Sequence, residues 1–158
     1  MADEYAEWKA EQARKYLRRV RRAGIECARL EAKIADEYAK AEGVSGIDYS
    51  SDKVAGSANP DAIPNAVARI TDLIREYAAD LAGYEDERHQ AYDTLMQMPK
   101  RNERDALAFH YVLGYDWPKV RERMGYTKDG MDSLVKRALA NYWDYMPRME
   151  RDILPPAV

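Results

Sequence analysis

The chain has 158 residues, 34% of them charged, with 8 Gly, 7 Pro and a formal net charge of −3. That length suits one or two small domains and the composition suits a soluble, helix-rich protein. The single cysteine, Cys27, excludes an internal disulfide and points to a reducing compartment, its own place being that of a small buried apolar residue.

No run of about 18 apolar residues is present, and the N-terminus lacks the pattern of a secretory signal, so the expected location is the cytoplasm, with no membrane partner. Charge is distributed unevenly. Residues 1–98 hold 14 Lys/Arg against 19 Asp/Glu, whereas residues 99–151 hold 11 against 8. The C-terminal third alone has a basic excess, and a modest one, so one copy should grip nucleic acid only modestly through charge.

From about Asp3 to Glu42 the sequence reads as one long helix, with Gly24 the place for a bend. Leu17, Val20, Cys27, Leu30, Ile34 and Tyr38 form an apolar stripe at steps of three and four. Arg14, Lys15, Arg18, Arg19, Arg21 and Arg22 make a basic cluster within it. Such a run either touches nucleic acid or, more commonly, pairs with acidic neighbours on a solvated face.

Residues 43–60 break the helical pattern with Gly, Ser, Asp and Asn, and read as a long loop. Ile47, Tyr49 and Val54 are its apolar groups, fit to pin it to a helix. Its glycines match no phosphate-cradling fingerprint.

Between Asp61 and Met98 the periodicity is the strongest in the chain. Ile63, Ile70, Tyr77, Tyr84, Ala91 and Met98 recur every seven residues, with Val67, Ile74, Leu81, Arg88 and Leu95 between them. This is the seam of a coiled coil, interrupted at Arg88, along a helix of roughly 55 Å. Paired with the first helix it makes an antiparallel hairpin. The competing use of the same seam is a homodimer. Pro99 fits the first turn of the next helix, which puts a domain boundary at 98/99.

The C-terminal part, 99–158, reads as three helices. The first spans about Asn102 to Leu113, with Leu107, Tyr111 and Phe109 facing inward. A short second helix starts from an Asp116 cap with Pro118 in its first turn, and ends at Gly125. Thr127 caps the third, whose first turn carries Asp129 in a position that suits the helix dipole. Gly125 supplies the positive φ of the turn, and Tyr126 plugs the junction. Met131 and Leu134 then face Val120 and Met124, leaving Thr127, Lys128, Asp129, Asp132, Ser133 and Lys136 outside. That is the spacing of a helix-turn-helix, or of an ordinary helical hairpin with a solvated charged face. Pro147 stops the last helix, and 152–158 reads as a frayed tail. The expected fold is all-α, a long coiled-coil-like N-terminal hairpin followed by this helix-turn-helix.

Residues His110-Tyr111, Gly114, Asp116-Trp117-Pro118-Lys119-Val120, Met124-Gly125-Tyr126-Thr127 and Ala138-Leu139 resemble the C-terminal region of sigma factors, the part that reads an upstream promoter element. More closely, the chain resembles the small phage-encoded late transcriptional regulators of the ArpU and RinA type. Gly46-Ile47-Asp48-Tyr49-Ser50-Ser51-Asp52-Lys53-Val54-Ala55-Gly56-Ser57 is similar to that group's central segment. The resemblance covers about residues 44 to 145. It implies a sequence-specific transcriptional regulator that binds double-stranded DNA, with RNA polymerase as a further candidate partner.

On this reading Lys128, Ser133 and Lys136, with Thr127 at the helix start, face the major groove. Arg137, Lys119 and Arg123 reach phosphates. No cofactor or metal is implied. An enzyme is not expected, because His89 and His110 have no Cys or carboxylate at metal-ligand spacing and no nucleophile elbow occurs. Two other readings compete. A phage small terminase subunit also combines a helix-turn-helix with a coiled coil. A coiled-coil adaptor of polymerase would bind protein alone, and Asp129, Gly130 and Asp132 in the reading helix favour it.

Overall fold

A helix forms wherever the apolar residues repeat at three- and four-residue steps between good start and stop signals, and the computed structural model follows that rule closely. It describes residues 2–45 and 62–152, and every regular element among them is helical. These are α1 (Ala2–Ser45), α2 (Ala62–Leu95), α3 (Arg101–Leu107), α4 (Trp117–Met124) and α5 (Lys128–Tyr142). A π-helical segment, Ala108–Val112, continues α3, and a single 3₁₀ turn, Arg148–Glu150, follows α5. The expectations for Ile47, Tyr49 and Val54, for the 46–57 linker and for the tail beyond residue 152 lie outside the described residues.

The chain divides into two compact units. One joins Met1–Ile25 with Tyr84–Val158, the other is Glu26–Gly83. The boundary expected at 98/99 therefore falls inside the first unit. The cause is packing: Ala91, Leu95 and Met98 are buried in one core with Ala10, Ala13, Tyr16, Leu17 and Val20 of α1 and with Leu107, Tyr111, Leu139, Tyr142 and Met146. A domain cut at residue 98 would split that core.

Three local features of this first unit bear on the expectations. α1 runs as one helix through Gly24. Gly24 faces Arg88, whose Nε a Cβ at that position would meet at 3.4 Å, an ordinary contact. Arg88 in turn donates from Nη2 to the carbonyl of Val112 at 3.0 Å and pairs with Glu85 at 3.1 Å. The interruption in the heptad seam is thus a cation satisfying an end carbonyl of the π segment. Pro99 lies outside α3, whose N-cap is Lys100. A residue before proline avoids the helical region, and α2 gives way to a turn at Met96–Gln97 ahead of Met98.

In the second unit, residues 26–45 of α1 and 62–83 of α2 lie side by side at least where Lys33 Nζ sits 5.4 Å from the Tyr77 ring. Among its described residues only Cys27 and Leu30 are buried. Ile34, Ile63, Val67, Ile70, Ile74, Tyr77 and Leu81 are half-buried. Tyr38, expected on the inward stripe, is 55% exposed.

Candidate nucleic-acid interface

The α4–α5 pair is built by its caps. Asp116 is extended (φ −68°, ψ 160°) and its carboxylate accepts from the Lys119 amide at 3.0 Å, with Pro118 in the first turn. Gly125 ends α4 at φ 74°, and its N–H returns to the Arg121 carbonyl at 2.8 Å. Two residues later Thr127 caps α5, its hydroxyl accepting from the Gly130 amide at 3.1 Å. A Cβ at residue 130 would sit 3.1 Å from that hydroxyl oxygen. Gly130 is therefore part of the cap, which explains a glycine in a helix where it would otherwise cost on the order of 1 kcal/mol.

Behind the turn, Ala106, Val120, Met131 and Leu134 form a small core of their own, flanked by Phe109, Tyr115, Trp117, Met124 and Tyr126. The inward register expected for Val120, Met131 and Leu134 holds. Phe109 and Met124 are only half-buried. Asn102 of α3 donates to the Tyr126 hydroxyl at 3.3 Å, tying the turn to the preceding helix.

The pair is anchored to the rest of its unit by groups that the sequence pattern gave no reason to connect. Glu103, only 3% exposed, accepts from Asn141 Nδ2 through both carboxylate oxygens, at 2.9 and 3.2 Å. The Tyr142 hydroxyl lies 2.6 Å from Thr94 Oγ1 of α2. His110 stacks on Trp117 with centroids 3.8 Å apart and donates from Nδ1 to the Tyr115 carbonyl at 2.7 Å. Burial holds its pKa below the usual histidine value. His110 packs on Trp117 and satisfies the Tyr115 carbonyl.

These contacts leave one face of α5 outward. Lys128, Asp129, Asp132, Ser133, Lys136 and Arg137 are all exposed on it. Thr127 stands at its N-terminal end with one lone pair already given to the cap. On α4, Lys119 and Arg123 are also exposed, and both cations lie over the Tyr115 ring, at 4.5 and 4.8 Å from its centroid. The two candidate phosphate contacts of α4 are thus gathered on one aromatic support, apart from the third, Arg137 of α5.

A feature missed from the sequence changes the electrostatics of that face. Lys136 Nζ lies 3.4 Å from Glu7 Oε1 of α1, both side chains being largely exposed. Glu4, Glu7, Glu11, Arg14 and Arg18 of α1 and Asp132, Val135 and Lys136 of α5 line a groove of about 900 Å³ with charges of both signs, together with His110, Tyr111 and Trp117. No local signal could have found it, since 129 residues separate Glu7 from Lys136.

Half of the basic cluster of α1 is engaged with acidic groups or backbone. Arg14 pairs with Glu11, and Arg19 bridges Glu87 and Glu150. Arg21 reaches the Gly114 carbonyl at 3.4 Å, while Lys15, Arg18 and Arg22 remain exposed. Among the described residues no helix is long and apolar enough to cross a membrane. No protein-family model matches the chain, nor does any characterised protein or solved structure.

Proposed function

We propose that the protein is a sequence-specific transcriptional regulator that binds duplex DNA in the cytoplasm, with α4–turn–α5 as its helix-turn-helix. One observation carries this reading. Both helices are capped by side chains, the turn is fixed by a left-handed glycine, and a dedicated four-residue core holds them. That construction presents Lys128, Ser133, Lys136 and Arg137 on a rigid outer face, with Lys119 and Arg123 beside it. Polar side chains on a rigid helix read base edges, while cations on the flanking helix add affinity through phosphates. The sigma-like and late-regulator resemblance points the same way.

Selection from a randomised duplex pool by the full chain tests the proposal. The expected result is enrichment of one short motif at low to moderate salt. Salt-sensitive retention of duplexes with no common sequence would reduce the protein to a non-specific binder.

A second reading has its own observation. Glu4, Glu7, Glu11 and Asp132 line the groove beside this face together with Arg14, Arg18 and Lys136, and Asp129 is exposed on α5; the carboxylates among them repel phosphate. They favour an adaptor that docks this face on a basic surface of RNA polymerase. Absence of any duplex binding at low salt selects that reading.

A further inference from the structure

The seam of α2 is a single heptad repeat, yet its two ends are covered very differently. In the first unit Ala91, Leu95 and Met98 are 0–2% exposed because α1, α5 and the π segment close over them. In the second unit Ile63, Val67, Ile70, Ile74, Tyr77 and Leu81 on the same repeat are all half-buried. Two helices alone cannot enclose side chains of that size, so water still reaches every seam position there. An apolar edge adjoins the seam. Ala66 and Leu73 lie one helical step to its side, and Leu73 is 37% exposed, the one large apolar side chain of α2's 62–83 segment standing out among its described residues.

The charges around Leu73 say what fits that edge. Arg69 precedes it by four residues and Glu76 follows it by three, on the same strip of the helix. Both are exposed and neither forms an ion pair among the described residues. If two copies of the strip lie antiparallel with a two-fold axis near Leu73, Arg69 of each meets Glu76 of the other, and the two leucines meet at the axis. The strip is therefore complementary to itself in one orientation. Parallel pairing would set Arg69 against Arg69 and Glu76 against Glu76.

We propose that a second copy of this chain covers the 62–83 face of α2, pairing antiparallel about Leu73. Such an interface is isologous, the same patch on both partners, as closed dimers require. The proposal is independent of what the outer face of α5 binds.

Sedimentation of the full chain over a range of concentrations, with helicity followed by circular dichroism, tests it through a charge exchange. The wild type should associate reversibly to a dimer. Arg69→Glu alone, or Glu76→Arg alone, places two like-charged pairs across the axis and should weaken the dimer roughly tenfold, leaving helicity unchanged. The double variant Arg69→Glu with Glu76→Arg restores opposite charges and should recover most of the wild-type affinity, as should a mixture of the two single variants. A wild type that stays monomeric at every concentration overturns the proposal. So does a dimer that responds to neither single exchange, or one that the double exchange fails to restore.

Discussion

At the scale of single residues, His110 shows how packing sets chemistry. Its ring lies flat on Trp117 and its Nδ1 donates to the Tyr115 carbonyl; burial, helped by the Arg21 charge, opposes protonation more than that bond and Asp116 favour it. A histidine whose pKa is lowered by folding binds protons more readily unfolded. Its contribution is therefore intact above the unfolded value of about 6.5 and is lost as pH falls from there through the lowered folded value. Denaturant unfolding at pH steps across this window should show wild type losing more stability than His110→Gln. Parallel pH curves for the two proteins would contradict the assignment. Leu134, fully buried between α4 and α5, was legible from its spacing to Met131. Leu134→Ala should cost on the order of 2–5 kcal/mol by chemical denaturation, and a loss under about 0.5 would contradict the register. Arg88 and Glu103 were not legible. Arg88 read only as an interruption of the seam and Glu103 drew no reading, and each is held by a group 24 or 38 residues away that no local pattern links to it.

Among the elements, those with strong local punctuation matched the sequence best. Asp116, Pro118, Gly125 and Thr127 act on their near neighbours, and α4 starts and ends, and α5 starts, where those residues place them, whereas α5 ends at Tyr142, ahead of the stop expected at Pro147. Asp116→Ala, which removes the acceptor of the Lys119 amide, should destabilise the fold by about 1 kcal/mol in thermal or chemical unfolding, whereas Asp116→Asn should cost clearly less. Equal losses for both would mean that the charge, not the cap, matters. The helix expected from Asn102 to Leu113 was right in place and wrong in winding. It widens to π geometry at Ala108–Val112, with the Leu113 amide reaching back to the Ala108 carbonyl at 2.9 Å. Leu107, Ala108, Tyr111 and Val112 all enter the core from this stretch. Such a bulge answers the shape of neighbouring elements, which periodicity in one segment does not encode. The same limit explains Tyr38, which kept the stripe's spacing and yet is exposed.

On the scale of the molecule, the all-helical class followed directly from the three-, four- and seven-residue repeats. The division into units did not, because the long α1 contributes to both and only tertiary contacts reveal where each core ends. The charge around α5 is likewise a tertiary property. Lys136 was legible as an outward cation, but its approach to Glu7 arises only when the first turns of α1 come alongside α5. An exposed pair of this kind is weak, about 0–1 kcal/mol, so a phosphate or base edge can displace it. The central claim is that the outer face of α5 reads duplex sequence, and titration of two variants against a selected and a scrambled duplex at several salt concentrations tests it most directly. Lys136→Ala should weaken binding to the selected site more than to the scrambled one, by a difference of about 1–3 kcal/mol. Arg137→Ala should weaken both alike and lower the salt slope by roughly 0.9. Equal effects of Lys136→Ala on both duplexes, or none on either, would contradict base reading by this face.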